Sequence, residues 1–450
     1  MSVLQRFSAL SSYAGTLAWN PLVATSRVLS LSLLKGIQIG RLEVEELGGE
    51  VTICGTAAIT DLPNVTLTVH KDVFWVRLAL FADMGFAESY MLGETSCSDL
   101  TSFFRLFILN RSYLSGSTIT STLASSISSL LRATNSLSNA RLNIAAHYDI
   151  SNDMFSAFLS PDMTYSCPIF LPLSHPASAT ETLDQAQQRK LKRFIDNCHI
   201  KPTDHVLEIG TGWGSFAIKA VRETGCRVTS LTLSVEQQEL AQKRIRDAGM
   251  EERITVLLCD YRDCPRPYDR EAYDKVVSIE MLEAVGREWL ATYFGCVDKL
   301  LKKDGGIASF QCITMPETRY DAYSKSDDFI RRYIFPGGHL PTTFGLVSAL
   351  TSGSHNSLLV SSIEDIGPHY AKTLRLWRES FLRNFDARIK PALRADSKRS
   401  MSKEDMDMFR RKWEYYFTYC EAGFATKTLG DVIVTVAREG AVELMEDIPL

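Results

Sequence analysis

The sequence predicts an α/β fold: a doubly wound parallel sheet in the C-terminal two thirds of the chain, with a smaller α+β domain ahead of it. Three observations carry this. Strand-like and helix-like segments alternate from Asp204 to Gln311. The first of those strands runs straight into a glycine-rich turn, Gly210-Thr-Gly-Trp-Gly214. Two period-two segments near the N-terminus are set apart from this region by a stretch dense in Ser and Thr.

In order along the chain, residues 1–28 read as an N-terminal extension. The first acidic residue is Glu43, and Arg6, Arg27, Lys35 and Arg41 precede it among many serines. That composition resembles an organelle transit peptide, and an irregular extension is the plainer reading. Residues 29–111 form the small α+β domain. Ile37-Gln-Ile-Gly-Arg-Leu-Glu-Val and Val65-Thr-Leu-Thr-Val-His alternate as half-buried strands, and Ala79 to Ile108 looks helical. Residues 112–140 are the Ser/Thr-rich linker, in which Thr120 to Leu131 has weak helical character. Residues 141–450 form the large domain. Its strands are expected at Asp204–Ile209, Cys226–Leu233, Ile254–Asp260, Tyr273–Glu280 and Gly306–Gln311, with helices at Ser215–Thr224, Val235–Ala248 and Trp289–Lys302.

A length of 450 residues suits two or three domains, and 45% hydrophobic with 23% charged residues is ordinary globular composition. It excludes disordered and collagen-like chains and polytopic membrane proteins. The net charge of −4 gives no reason to expect nucleic-acid binding. The ten cysteines show no C-x-x-C spacing, so no metal site is expected and reduced thiols are.

The chemistry begins at Val206-Leu-Glu-Ile-Gly-Thr-Gly-Trp-Gly214. Glycines let the backbone approach a nucleotide-like ligand without a Cβ clash. G-x-G-x-G is neither the G-x-G-x-x-G of dinucleotide folds nor a P-loop. It suits S-adenosylmethionine, which brings no pyrophosphate; a tight βα turn without a ligand is the alternative. Asp260-Tyr-Arg262 closes the third strand, where an acidic residue and its neighbours flank an adenine. The fourth strand ends in Glu280-Met-Leu-Glu283, which puts two carboxylates at the carboxyl edge where such sheets bind ligands.

Further motifs then identify a resemblance. His147-Tyr-Asp-Ile-Ser-Asn-Asp-Met-Phe, Pro161-Asp-Met-Thr-Tyr-Ser-Cys167, Leu231-Thr-Leu-Ser-Val-Glu-Gln237, Glu280-Met-Leu-Glu-Ala-Val-Gly286, Tyr333-Ile-Phe-Pro-Gly-Gly-His-Leu-Pro341, Thr373-Leu-Arg-Leu-Trp377 and Trp413-Glu-Tyr-Tyr-Phe-Thr-Tyr-Cys420 follow one another in this order. Together they resemble the cyclopropane-fatty-acyl-phospholipid synthase and mycolic-acid cyclopropane synthase family, strongly over Arg141 to Arg438 and more weakly over Lys35 to Arg111. The resemblance implies a Rossmann-like class I methyltransferase sheet and a lipid-contacting N-terminal accessory domain. It implies transfer of a methyl(ene) group from S-adenosylmethionine to the cis double bond of an unsaturated phospholipid acyl chain. A carbocation, deprotonated by bound bicarbonate, would close to a cyclopropane. Alternatives are a methylene- or methyl-branched acyl product, or a small-molecule N-methyltransferase on the same scaffold. A catalytically dead lipid-binding protein would need a broken donor loop or a lost Glu283.

By the same resemblance Tyr165, Ser166, Gly210, Gly212, Gly214, Thr232, Leu233 and Gln237 hold the donor, and Tyr261 and Arg262 lie at its adenine. Bicarbonate would be held by Cys167 and Ile313 through their backbone, and by Glu283, Tyr370 and Gln311. Gln311 stands where many bacterial members have histidine, and Ala284 follows Glu283 where they also have histidine. Tyr333, Phe335, Trp377, Tyr415, Tyr416 and Phe417 would line an apolar pocket, each with ordinary core packing as its alternative. Cys420 reads as a buried small hydrophobe. His147 is structural or near the donor, and His339 and His369 stand further out.

The implied substrate lies in a bilayer, so cytoplasmic residence with peripheral membrane association is expected, mitochondrial targeting being the alternative. From Lys372 to Lys412 there are 13 Lys/Arg against 6 Asp/Glu. Within it, Arg383-Asn-Phe-Asp-Ala-Arg-Ile-Lys-Pro-Ala-Leu-Arg394 mixes apolar and basic residues as an interfacial helix does; a solvated helical face is the alternative. The family is often dimeric, and no residue here decides that.

Overall fold

The computed structural model describes residues 20–56, 61–114, 151–396, 401–446 and 448–449. Most of the linker, its weak helix at Thr120–Leu131, His147 and the first 19 residues lie outside the described residues. The chain divides into two compact units. The described residues up to Leu114 form the first, together with Arg332–Ile334 and 401–422; those in 151–331, 335–396 and 423–449 form the second.

The first unit holds a four-stranded sheet in the order β2-β1-β3-β4, made of β1 (Arg41–Glu46), β2 (Val51–Gly55), β3 (Asn64–Val69) and β4 (Thr95–Cys97). β1 pairs antiparallel with β2 and parallel with β3. The alternation read at Val65–His70 appears as Val65, Leu67 and Val69 facing inward. A helix over residues 20–34 runs across the 28/29 position. The expected Ala79–Ile108 helix is two helices, Val73–Met91 and Leu100–Leu114, with β4 between them. The first is kinked at Ala82 (φ 49°), and there Gly85 passes so close to the carbonyl of Arg77 that a Cβ would lie 2.1 Å from it.

The helix Lys403–Ala425 contributes its residues up to Ala422 to this first unit. Tyr415 packs on Phe86, Tyr90 and Phe104 there, and Tyr333 donates to Glu88 at 3.0 Å. Tyr333, Tyr415, Tyr416 and Phe417 are all buried in this unit, so ordinary core packing accounts for them.

The second unit is built on a seven-stranded sheet in the order β10-β11-β9-β8-β5-β6-β7. Its strands are β5 (His205–Ile209), β6 (Arg227–Thr232), β7 (Ile254–Leu258), β8 (Lys275–Ile279), β9 (Ile307–Thr314), β10 (Leu359–Asp365) and β11 (Gly430–Ala437). The five strands from β9 to β7 run parallel, as expected from the β-α alternation. β11 and β10 add antiparallel pairs at one edge, which the sequence had not suggested. The order changes direction between β5 and β8, the crevice where doubly wound sheets bind ligands.

Local rules place the flanking helices. Ser215–Thr224 starts at Gly214 and ends at Gly225, both with positive φ. Thr182 and Gln185 form a capping box on Leu183–Asn197. The segment from Arg383 to Arg394 corrects the expectation of an interfacial helix. It holds the end of the helix Gly367–Asn384, a π-turn at Phe385–Ile389 and the helix Lys390–Asp396. Its apolar residues Phe385, Ile389 and Leu393 are buried in the protein, leaving Arg383, Arg388 and Arg394 exposed. Among the described residues no helix is long and apolar enough to cross a membrane.

Candidate active site

At the crevice between β5 and β8 the chain turns through Gly210 (φ 105°), Gly212 (φ 50°) and Gly214 (φ 83°). The loop is fixed from below: the N–H groups of Gly210 and Thr211 both donate to the carbonyl of Leu231, at 3.0 and 2.9 Å. A Cβ on Gly210 would meet Met281 at 3.3 Å, whereas one on Gly212 would meet nothing within 4 Å. The loop is therefore packed on one side and open on the other, which fits a ligand lying over it. Beneath it, Glu208 is buried and accepts from Ser230, and burial pushes its carboxyl up to about 8.

The next strand end supplies Thr232, whose hydroxyl donates to Gln237 at 2.9 Å, and Leu233, which is 73% exposed. An exposed leucine beside an open glycine cradle suits the flat apolar face of an adenosine. Tyr261 packs edge-on to Tyr293 at 4.9 Å, with Arg262 above its ring at 5.6 Å. The Arg262 guanidinium is engaged by Asp260 at 2.8 Å through two nitrogens, so it is committed to its neighbour. These residues fit S-adenosylmethionine: an open cradle, a hydroxyl–amide pair and an aromatic ring surround one edge of the sheet.

The segment Tyr165–Cys167 borders this cradle's neighbouring strands. Tyr165 lies 5.0 Å from Trp377, 5.1 Å from Phe155 and 6.5 Å from Phe335 between ring centres. Tyr370 reaches Trp377 edge-on at 5.9 Å and Phe424 at 4.6 Å. Of the aromatic residues expected to line a pocket, Phe335 and Trp377 belong to this cluster; Phe155, Phe158, Tyr370 and Phe424 join it. Ser166 does not present a free hydroxyl. It accepts from Lys190 Nζ at 2.6 Å, and its carbonyl accepts from Gln187 at 2.7 Å.

The strand ends β8, β9 and β11 bring three carboxylates together, Asp431 buried and Glu280 and Glu283 half-buried. Glu280 Oε1 accepts from the backbone N–H of Cys167 at 2.7 Å and from Gln311 Nε2 at 2.7 Å, and its Oε2 accepts from Tyr370 Oη at 2.7 Å. Gln311 Nε2 also donates to Asp431 at 2.8 Å. The opposite amide orientation would aim an oxygen at both carboxylates, so the network fixes it. Glu283 Oε1 accepts from the N–H of Ile313 at 2.6 Å, while its Oε2 is buried without a hydrogen-bond partner. Burial, reinforced by the charge of Glu280, pushes Glu283 up to about 8. Burial also raises Glu280, and it raises Asp431 with help from the Glu280 charge. Lys190, fully buried, lends these acids positive charge, and its own pKa is lowered by burial.

This geometry brings Cys167, Gln311, Tyr370, Glu283 and Ile313 into one cluster, but it does not fit a bicarbonate ion among them. The Cys167, Gln311 and Tyr370 donors all converge on the Glu280 carboxylate, and the Ile313 donor on Glu283. The Cys167 thiol reaches the carbonyls of Pro168 and Ile366 and the Asp431 carboxyl, and burial pushes it upward. Glu280 was visible in the sequence as one of two carboxylates at a strand end. Asp431 and Lys190 were not singled out. His339 contributes its N–H to the carbonyl of Glu283 at 2.8 Å, and His369 Nδ1 accepts from the N–H of Phe170, so both stand behind the cluster. Among the described residues no group of His, Cys, Asp and Glu could hold a metal ion.

Comparison with known proteins agrees with this geometry. The sequence model of the family described as Mycolic acid cyclopropane synthetase matches residues 135–433. The tuberculostearic acid methyltransferase UfaA1 of Mycobacterium tuberculosis is 38% identical over 428 residues, covering 93% of each chain. The cyclopropane-fatty-acyl-phospholipid synthase of Escherichia coli K12 is 29% identical over 383 residues, covering 83% of this chain and 87% of that one. Among solved structures, the mycolic acid cyclopropane synthase CmaA1 complexed with SAH and CTAB is similar with a TM-score of 0.53 and 27% identity, over 66% of this chain and 98% of that one.

Proposed function

We propose a reaction from one premise: the chain belongs to the mycolic acid cyclopropane synthetase family and is an S-adenosylmethionine-dependent methyltransferase of the class I fold. The reaction is transfer of a methyl(ene) group to the cis double bond of an unsaturated acyl chain in a phospholipid, giving a cyclopropane chain. The observation that carries it is the aromatic cluster of Tyr165, Phe335, Tyr370 and Trp377 beside one buried and two half-buried carboxylates. A methyltransferase acting on a heteroatom needs no such pairing. One acting on an alkene creates a carbocation, which π faces and anions stabilise and which water must not reach.

S-adenosylmethionine, when bound, supplies the electrophilic methyl group. The glycine turn, Thr232, Leu233, Gln237 and Tyr261 hold it at the β5–β8 crevice, and Tyr165 and Trp377 press the acyl chain toward it. Glu283 faces the positive charge that develops as the methyl group moves. The bicarbonate that the resemblance implies would need donors already engaged by Glu280, so the base is sought among the protein's own groups. Arg262, tied to Asp260, shapes the adenine edge through Tyr261 rather than touching the ligand. The N-terminal unit serves as a lipid-contacting accessory domain, and a homodimer is compatible with the family.

Membrane docking is peripheral and electrostatic: Arg383, Arg388 and Arg394 are exposed while the apolar residues between them are buried. The cytoplasm is the compartment this suits.

A second reading, a methylene- or methyl-branched acyl product, is favoured by 38% identity over 93% of the chain to a tuberculostearic acid methyltransferase. Mass spectrometry of lipids from a host expressing the chain tests both. Unsaturated chains heavier by one methylene group support the reaction, and fragmentation separates ring from branch. No such gain, with the protein present and binding the donor, refutes it.

A further inference from the structure

We propose that Glu280 is a built-in base: its carboxylate occupies the anion position of the site and takes the proton from the methyl group newly attached to the acyl chain. This rests on the acyl methyl-transfer reading above. Three donors that arrive from residues 113, 31 and 90 positions away in sequence meet on this one carboxylate. They are the Cys167 N–H, the Gln311 amide and the Tyr370 hydroxyl. These are three of the groups the family resemblance allots to a free anion. Here the anion is covalently part of the chain.

The backbone is shaped to put it there. Glu280 has φ 48°, a left-handed conformation that residues with a Cβ adopt rarely, and its N–H is held by the carbonyl of Gln311 at 3.0 Å. Unfavourable backbone of this kind persists where the surroundings impose it, and it concentrates at functional sites. The next residue, Met281, packs against the donor loop at Gly210. Glu280 thus sits one residue from the methyl donor's cradle and one hydrogen bond from Tyr370, a member of the aromatic cluster. An ionised carboxylate has about four lone-pair directions. Oε1 accepts from Cys167 and Gln311, Oε2 accepts from Tyr370 beside the aromatic cluster, and the carboxylate also shares a hydrogen bond with Asp431.

Burial raises the pKa of Glu280, which strengthens it as a proton acceptor. Glu283 and Asp431 have other surroundings: Glu283 is held by the Ile313 N–H and the Cys312 thiol, and Asp431 by the shared Gln311 amide and by Glu280 itself. The step balances without a further reagent. A C–H bond of the new methyl group breaks. Its electron pair forms the carbon–carbon bond that discharges the cation, closing a ring or, after a hydride shift, a double bond. The proton goes to Glu280 Oε2 and returns to solvent once the product leaves.

The test uses the full chain, S-adenosylmethionine and vesicles of dioleoylphosphatidylglycerol, in buffer freed of carbon dioxide and in the same buffer with added bicarbonate. The expected result is equal turnover in both. Glu280→Gln is expected to lower turnover roughly 10²–10⁴-fold while donor affinity is kept. Glu280→Gly, which opens the anion position, is expected to regain activity as bicarbonate is added. Parent turnover that collapses without bicarbonate overturns the proposal, as does a Glu280→Gln variant as fast as the parent. If Glu280→Gln fails to bind the donor, the parent's bicarbonate response decides alone. A parent that methylates no acyl chain in either buffer, though it binds the donor, overturns the acyl-substrate reading and the proposal with it.

Discussion

Replacing Glu283 with Gln separates what this carboxylate costs the fold from what it does in the reaction. Glu283 is half-buried, its Oε2 is shut off from solvent without a hydrogen-bond partner, and its carboxyl is raised from an ordinary 4.5 to about 8. A carboxyl raised on folding makes the folded chain bind more protons than the unfolded one, so its contribution to stability falls as pH rises from about 4.5 through about 8. At about 1.4 kcal/mol per pH unit, the gap between 4.5 and about 8 sets a ceiling of about 5 kcal/mol. Gln removes the charge and keeps an acceptor for the Ile313 N–H, but it places an unmatched N–H donor where Oε2 was, costing about 1–3 kcal/mol. The balance is a variant more stable than the parent by about 2–4 kcal/mol above pH 8 and less stable than it by about 0–2 kcal/mol near pH 5, where the parent's charge costs under about 1 kcal/mol. At roughly 2 °C per kcal/mol for a unit of this size, the melting temperature of Glu283→Gln should exceed the parent's by about 4–8 °C at pH 8.5. Glu208, also raised to about 8 by burial, is present in both proteins and cancels in the difference. Turnover should fall at every pH. Thermal melts of both proteins from pH 5 to 9 give the answer. Parallel curves, with no widening gap, would mean that Glu283 does not change protonation across this range, and the argument from its burial would fail.

Three further outcomes follow from the same geometry. Gly212→Ala should cost about 1–2 kcal/mol of stability for the left-handed φ, since its Cβ meets no protein atom. Its affinity for S-adenosylmethionine, measured by calorimetry, should fall at least about tenfold, because the ligand needs that space. Lys190→Met removes positive charge that favours ionised Glu280 and Glu208. The acid limb of its pH–rate profile should move up by about one unit, toward higher pH, with donor binding retained. Activity on anionic vesicles should fall steeply as salt rises from low to physiological strength, while activity on detergent-dispersed substrate should not; equal salt responses would remove Arg383, Arg388 and Arg394 from membrane docking.

The parallel part of the sheet was legible because each of its strands is a short apolar run bounded by turn residues. The helix Ser215–Thr224 was legible to the residue, since glycines with positive φ mark both of its ends. The antiparallel edge was not. β10 reads Leu-Val-Ser-Ser-Ile-Glu-Asp and is exposed along most of its length, so no buried face shows as a pattern. Within the site, Glu283 and the glycine turn could be found from local sequence, because a strand end fixes where they go. Lys190 could not. It lies in Gln-Arg-Lys-Leu-Lys-Arg, which looks like a solvated helical face, and only the fold shows that this one lysine is turned inward to Ser166. Asp431 meets Gln311 across 120 residues, a pairing that depends on β11 joining the edge beside β9.

Gln311 ties two of these acids together without adding charge. A neutral imidazole at this position has one N–H to give, and donating to both Glu280 and Asp431 would require the imidazolium, which brings a positive charge. The amide of Gln311 gives two N–H bonds while uncharged, at 2.7 and 2.8 Å. Each bond to a carboxylate contributes about 1.5–3 kcal/mol toward keeping that acid in place. Glu280 is the acid whose ionised form the Cys167 N–H, the Tyr370 hydroxyl and the charge of Lys190 favour. Negative charge held among desolvated groups costs stability in the resting protein, as the raised carboxyls record, and in the proposed reaction it would stabilise the cation formed on the acyl chain. In the proposed mechanism Gln311 and Glu280 act as one device: the amide donates to two acids without adding charge, and the glutamate stands in for a bound anion.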